Sequence, residues 1–303
     1  MNASTEWTVV HTDSLDLNAF AALFNRAFAD YLVRFPPMDG PAFQRLLAGQ
    51  GIDLAWSRLV AAKGAPAGFG LIHRSNQMCR LAAMGVVPAA RGRGAAGALL
   101  DALLEEAEAR GDHGMTLEVF EQNPPALQLY LSRGFLRHVR LLGWRRDLVA
   151  APALAPSGHG ADSMIRVPLG EASAWQTSDP RHAGYAFTFP RLPFQVSGMA
   201  VPRLPASAKA YRIADTLAVV NETEPGSMRW CALLPPPAAA SPWSLLKSAA
   251  LRVMAEFPEH RWSAPAIFPE AYGEHVFEPL GFTREPLHQW LMFRKLGTGQ
   301  QVP

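Results

Sequence analysis

"GVVPAARGRGAAGALLDALLEEAEARG", residues 85–111, decides how this chain is read. A short apolar run, Gly85-Val86-Val87, meets a proline. A glycine- and arginine-rich turn follows, then an uninterrupted helical pattern closed by Gly111. Such a turn at a helix start suits an anion. The first N–H groups of a helix have no intrahelical acceptor, and that end carries partial positive charge. Gly92, Gly94 and the small Ala95 and Ala96 leave the backbone unshielded, with Arg91 and Arg93 adding charge at the rim.

Working outward, the part before the turn is rich in strand patterns, and helices and strands alternate after it. "WTVVHT" reads as a strand, and "LDLNAFAALFNRAFADYL" as a helix capped by Asp13 or Ser14. "GPAFQRLLAGQG" is a second helix, with Pro41 near its start and Gly51 after its end. "SRLVAA" and "AGFGLIHR" form a hairpin, and "MCRLAAMGVV" is the strand entering the turn. Beyond the helix come the strand "GMTLEVFEQ", the helix "PPALQLYLSRG" and the strand "FLRHVRLLGWRRDL". "VAAPALAPSGHGADS", rich in Ala, Pro, Gly and Ser, reads as a linker over 149–163. It separates a first domain, 1–148, from a second, 164–303.

Composition narrows the class. The chain has 303 residues, 18% charged, with a net charge of +2, which argues against a nucleic-acid partner held by bulk electrostatics. Cys79 and Cys231 are too few for a disulfide framework or a zinc site, so no metal is expected. No secretory signal pattern and no long apolar run is present, so the expectation is a cytoplasmic protein without a membrane partner, monomeric or homodimeric.

The turn allows two readings. Gly92-Arg93-Gly94-Ala95-Ala96-Gly97 spells the dinucleotide fingerprint, with Glu118 or Glu121 at the place of a ribose-binding acid. That would make an NAD(P)-dependent oxidoreductase. The context argues against it, because Pro88-Ala89-Ala90-Arg91 intervenes between strand and first glycine. In the other reading, Arg91-Gly92-Arg93-Gly94-Ala95-Ala96 is an R/Q-x-x-G-x-G/A element, and "NPPALQLYLSRGF" supplies N-x-x-A-x-x-x-Y-x-x-x-G-F through Asn123, Ala126, Tyr130, Gly134 and Phe135. With both elements, residues 7–148 resemble the GCN5-related N-acetyltransferases (GNAT).

The resemblance implies a mixed α/β fold, acetyl-coenzyme A as co-substrate, and direct attack by an amine on the thioester. Met84, Gly85, Val86 and Val87 match the splayed strand that pairs with the pantetheine arm. Arg91, Gly92, Arg93, Gly94, Ala95 and Ala96 match the pyrophosphate loop, and Asn123 a coenzyme contact or helix cap. Tyr130 matches the general acid to the leaving thiolate. The general base is less defined: Glu118, alternating with Leu117 and Val119, is the first candidate, and His73 the weaker one. Tyr31, Phe35 and Met38, with Asp39, line the expected site for a small-molecule or peptide amine. A binding protein that senses acyl-coenzyme A without turnover is the alternative.

Sliding the sequence against itself by 147 residues superposes Gly134-Phe135 on Gly281-Phe282, Leu99 on Leu246 and Leu104 on Leu251. The second half therefore reads as a diverged copy, giving tandem domains, each a twisted mixed sheet flanked by helices. Its chemical positions are lost: Arg91, Gly92 and Gly94 fall on Ala238, Ala239 and Ser241, Tyr130 on Phe277, and Asn123 on Glu270.

Overall fold

A computed structural model of the chain describes residues 7–75, 77–148, 163–175, 192–236 and 242–297. Nearly all of the expected linker 149–163, and Ala238, Ala239 and Ser241, lie outside the described residues. The chain divides into two compact units: Met1–His138 with Met292–Pro303, and Val139–Leu291.

The first half carries β1 (Thr8–His11), α1 (Leu17–Ala27), α2 (Gly40–Gln50), β2 (Arg58–Ala62), β3 (Ala65–Ser75), β4 (Met78–Val86), α3 (Ala95–Ala109), β5 (Gly114–Phe120), α4 (Pro124–Ser132) and β6 (Leu136–Arg146). The second carries β7 (Met164–Val167), β8 (Lys209–Ile213), β9 (Thr216–Glu224), β10 (Ser227–Leu234), α5 (Trp243–Ala255), β11 (Arg261–Pro269), β12 (Thr283–Arg284) and β13 (Gln289–Lys295).

In the first unit β1 to β4 form an antiparallel meander, and β5 joins β4 in parallel. The alternation of β3 sends neighbours to opposite faces. Phe69 packs among Phe20, Phe24 and Phe43 of α1 and α2. A Cβ on Gly70 would instead meet Leu99 and Leu103 of α3. Helices thus cover both faces, and each fully buried Phe or Leu contributes about 1.5–3 kcal/mol.

Local chemistry sets the helix ends. Asp16, not Asp13 or Ser14, caps α1 by accepting from the Ala19 N–H at 2.8 Å. Thr12–Ser14 form a separate 3-10 turn. The helix stops at Ala27, short of the expected Leu32. There the Ala27 carbonyl and the Asp30 carboxylate are both taken by Arg91. Asp39 caps α2, and Gly51 ends it at φ 61°.

The division differs from the one expected at 148/164, because each unit includes a strand from the other half of the sequence. In the first unit the end of β13 lies along β5: the Leu296 N–H donates to His113, and Arg294 pairs with Glu108 at 3.2 Å. In the second unit residues 141–146 of β6 pair with β11, next to the β10-β9-β8-β7 meander. Composition marks a linker but cannot reveal an exchanged strand. Residues 270–280, aligned with α4 by the internal shift, form instead short α, π and 3-10 turns. Gly273 lies against the Trp144 ring there, and Pro279 opens the final turn.

A methyl on Gly114 would run into the Phe293 ring. Gly114→Ala is expected to lower the unfolding free energy by about 1–3 kcal/mol through overpacking. Urea denaturation measures this, and an unchanged midpoint would mean that the terminal strand contributes little to the first unit.

Candidate active site

The parallel ladder between β4 and β5 is short. It runs from Met78 opposite Gly114 to Leu81 opposite Leu117 and stops. β4 goes on to Val86 and β5 to Phe120, with β4 now paired to β3 alone. The register against β3 slips where the ladder ends: Ile72 faces Leu81 and Leu71 faces Ala83, leaving Ala82 as an extra residue. An extra residue bends and twists its strand, and this one turns β4 away from β5.

The diverging strand leads into the glycine turn. Gly92 and Gly94 have φ of 71° and 88°, in the left-handed region, and Gly94 caps α3 without a side-chain bond. A Cβ on either glycine would meet no atom within 4 Å. Packing within the chain therefore does not require them. The conformation does, and the space beside them is open.

Two tyrosines and an asparagine converge past the end of β5. Asn123 caps α4 through the Ala126 N–H at 3.4 Å and hydrogen-bonds the Tyr31 hydroxyl. Tyr31 sits among Phe28, Phe35 and Phe120 at centroid distances of 5.0, 6.3 and 6.0 Å. Burial pushes its phenol above the ordinary tyrosine value, partly offset by Asn123. Tyr130 is buried beside Phe135, and burial, reinforced by nearby Tyr31, holds its phenol well above the usual range. The Tyr130 proton is thus retained throughout the physiological range.

Other expected site residues have different partners. Glu118 does not stand free: it accepts from Arg80 at 2.8–3.2 Å, both side chains are 5% exposed, and Arg80 also reaches Gln50. His73 is held through Nδ1 by the Gly51 carbonyl at 2.7 Å. The Arg91 guanidinium binds Asp30 and the carbonyls of Ala27 and Val86, so it braces the turn and is not turned to its rim. The Val86 carbonyl is thereby occupied, and the Val87 N–H donates to Ala67. Gly85 makes room for Ala27, Phe28 and Phe69, while the irregularity lies at Ala82. Asp39 serves as a helix cap, and the Met38 backbone is fixed by both ends of the Asn25 amide. Phe35 is 46% exposed. The bracing roles of Asn25 and Arg80 had no motif to mark them, although Arg80 alternates with Cys79 and Leu81 as a residue on the opposite face would.

In the second unit β10 and β11 pair only over Ser227–Arg229 before diverging. Here the gap is bridged from within. The fully buried Tyr272 donates its hydroxyl to the Leu233 carbonyl of β10 at 2.7 Å, and its ring packs on Phe268 of β11 and on Trp243. Among the described residues no helix is long and apolar enough to cross a membrane.

Residues 20–135 match the model of the acetyltransferase (GNAT) family. The chain has the fold of a tandem GNAT protein from the clavulanic acid biosynthesis pathway, at 18% identity, 97% of this chain, 99% of that one and a TM-score of 0.59. It is also similar to a GCN5-related N-acetyltransferase from Sphaerobacter thermophilus (14%, 98% of each chain, 0.60) and an acetyltransferase structure from Pyrococcus horikoshii (13%, 98% and 92%, 0.61). No curated protein matches the sequence significantly. The comparisons give the dinucleotide reading no support.

Glu118→Gln would leave Arg80 buried without its counter-charge. The expected result is a stability loss of about 3–5 kcal/mol, with the pH–rate profile of the folded fraction unchanged. A lost acidic limb at intact stability would restore Glu118 as the base.

Proposed function

We propose that the first unit transfers the acetyl group of acetyl-coenzyme A to an amine. The observation that carries this reading is the divergence of β4 from β5 at Ala82, upstream of the open glycine turn, with Tyr130 buried on α4. The pantetheine arm would lie along the freed part of β4. The diphosphate would lie against the backbone of Gly92 to Ala96, where helix-end N–H groups compensate its desolvation. The neutral amine attacks the thioester carbonyl, the C–N bond forms, and the C–S bond breaks. Tyr130, kept protonated by burial, donates to the departing sulfur and is reprotonated from solvent. The amine's proton passes to water, since the Glu118 lone pairs are engaged by Arg80. Tyr31, Phe28 and Phe35 offer the acceptor an aromatic wall, with Met38 on the same loop.

The second unit has no catalytic part in this reading. Tyr272 closes its strand gap, and Phe277 lacks the hydroxyl of Tyr130. One coenzyme A should bind per chain, and isothermal titration that saturates at two would reverse the assignment. Gly94→Glu should abolish that binding in a folded protein, because the carboxylate would occupy the phosphate position. Tyr130→Phe should lower kcat by about a hundred-fold with coenzyme affinity unchanged. Stoichiometric binding without acetylation of any amine in a broad panel would favour a sensor over an enzyme acting on amines.

A further inference from the structure

The glycine turn is also held by a residue outside every motif in the sequence. Trp7, just ahead of β1, donates its indole N–H to the carbonyl of Arg93 at 2.7 Å. The Arg93 guanidinium lies 5.8 Å from the centre of the same ring, and Trp7 is 9% exposed. The bond therefore ties the middle of the turn to the start of the sheet, 86 residues away in sequence.

One peptide plane gives this contact its consequence. The Arg93–Gly94 peptide is trans, so its carbonyl and its N–H point in opposite directions. With the oxygen fixed on Trp7, the Gly94 N–H is directed away from the indole. Gly94, at φ 88°, then starts α3. On the other flank Arg91 fixes the turn to Val86, Ala27 and Asp30. Two braces thus enclose Gly92, and the one at Trp7 fixes the peptide that enters Gly94. Glycine loses the most conformational entropy on ordering, and a turn ordered in advance spares the ligand that cost.

We propose that Trp7 is a positioning residue for the coenzyme diphosphate, acting by orienting the Arg93–Gly94 peptide. This rests on reading the turn as the diphosphate site. Trp7→Phe keeps an aromatic ring beneath Arg93 and removes the donor. The dissociation constant for acetyl-coenzyme A should rise about three- to ten-fold, the range of one net hydrogen bond. Affinity for acetyl-pantetheine, which has no diphosphate, should stay within about two-fold, as should kcat at saturating acetyl-coenzyme A. A tryptophan that only packs would weaken both donors alike or neither, and either result overturns the proposal. The ratio of the two affinities is independent of the fraction folded. Should the variant not fold, the wild-type indole 15N–1H resonance of Trp7 decides: it should shift with coenzyme A and not with acetyl-pantetheine, and the reverse result refutes the role. If wild-type protein binds both donors equally, or Gly94→Glu leaves affinity intact, the diphosphate reading itself falls and this role with it. If wild type discriminates and Trp7→Phe discriminates equally, only the role of Trp7 falls.

Discussion

The arrangement of the first unit depends on the point at which β4 stops pairing with β5. Up to Leu81 and Leu117 the two strands satisfy each other's backbone groups. One extra residue, Ala82, then bends β4, and the ladder cannot continue. The freed strand still has to be supported. Gly85 lets Ala27 and Phe28 approach closely on one side, and Arg91 takes the Val86 carbonyl at its end. The turn, the end of α1 and the aromatic loop after it are all positioned from that bend.

A divided sheet creates an obligation, because backbone donors and acceptors in a protein interior are costly when unpaired. The two units meet it differently. In the second, Tyr272 satisfies Leu233 and its ring occupies the space between the strands. In the first, the open turn and the freed strand suit a ligand that supplies those partners. The gap in the second unit is thus filled from within, by the aromatic cluster of Trp243, Phe268, Tyr272 and Phe277.

The fold was largely legible in the sequence, for physical reasons. Helical periodicity around Leu99, Leu103 and Ala107, and alternation in β3 and β5, follow directly from which face is buried. The glycines of the turn were legible because left-handed backbone favours them. The partners of charged groups were not. Glu118 and Arg91 looked available because a sequence does not show that Arg80 lies across the ladder or that Asp30 closes on the turn. The exchanged strands were hidden for the same reason: β13 has an ordinary strand pattern, and nothing in it states which sheet it joins. Trp7 had only its place at the start of a strand pattern to recommend it.

That exchange also sets an order of events. A chain leaves the ribosome from its N-terminus, and an early domain ordinarily folds while later residues are still being made. Here the strand lying along β5 is β13, which follows the second unit in the sequence, so the edge carrying Gly114 and His113 stays uncovered until that unit has also been synthesised. During that interval an open strand edge is available for wrong pairing with other chains. Completion of the first unit is thereby coupled to synthesis of the second, and a product truncated before β13 would lack the strand that finishes the first unit.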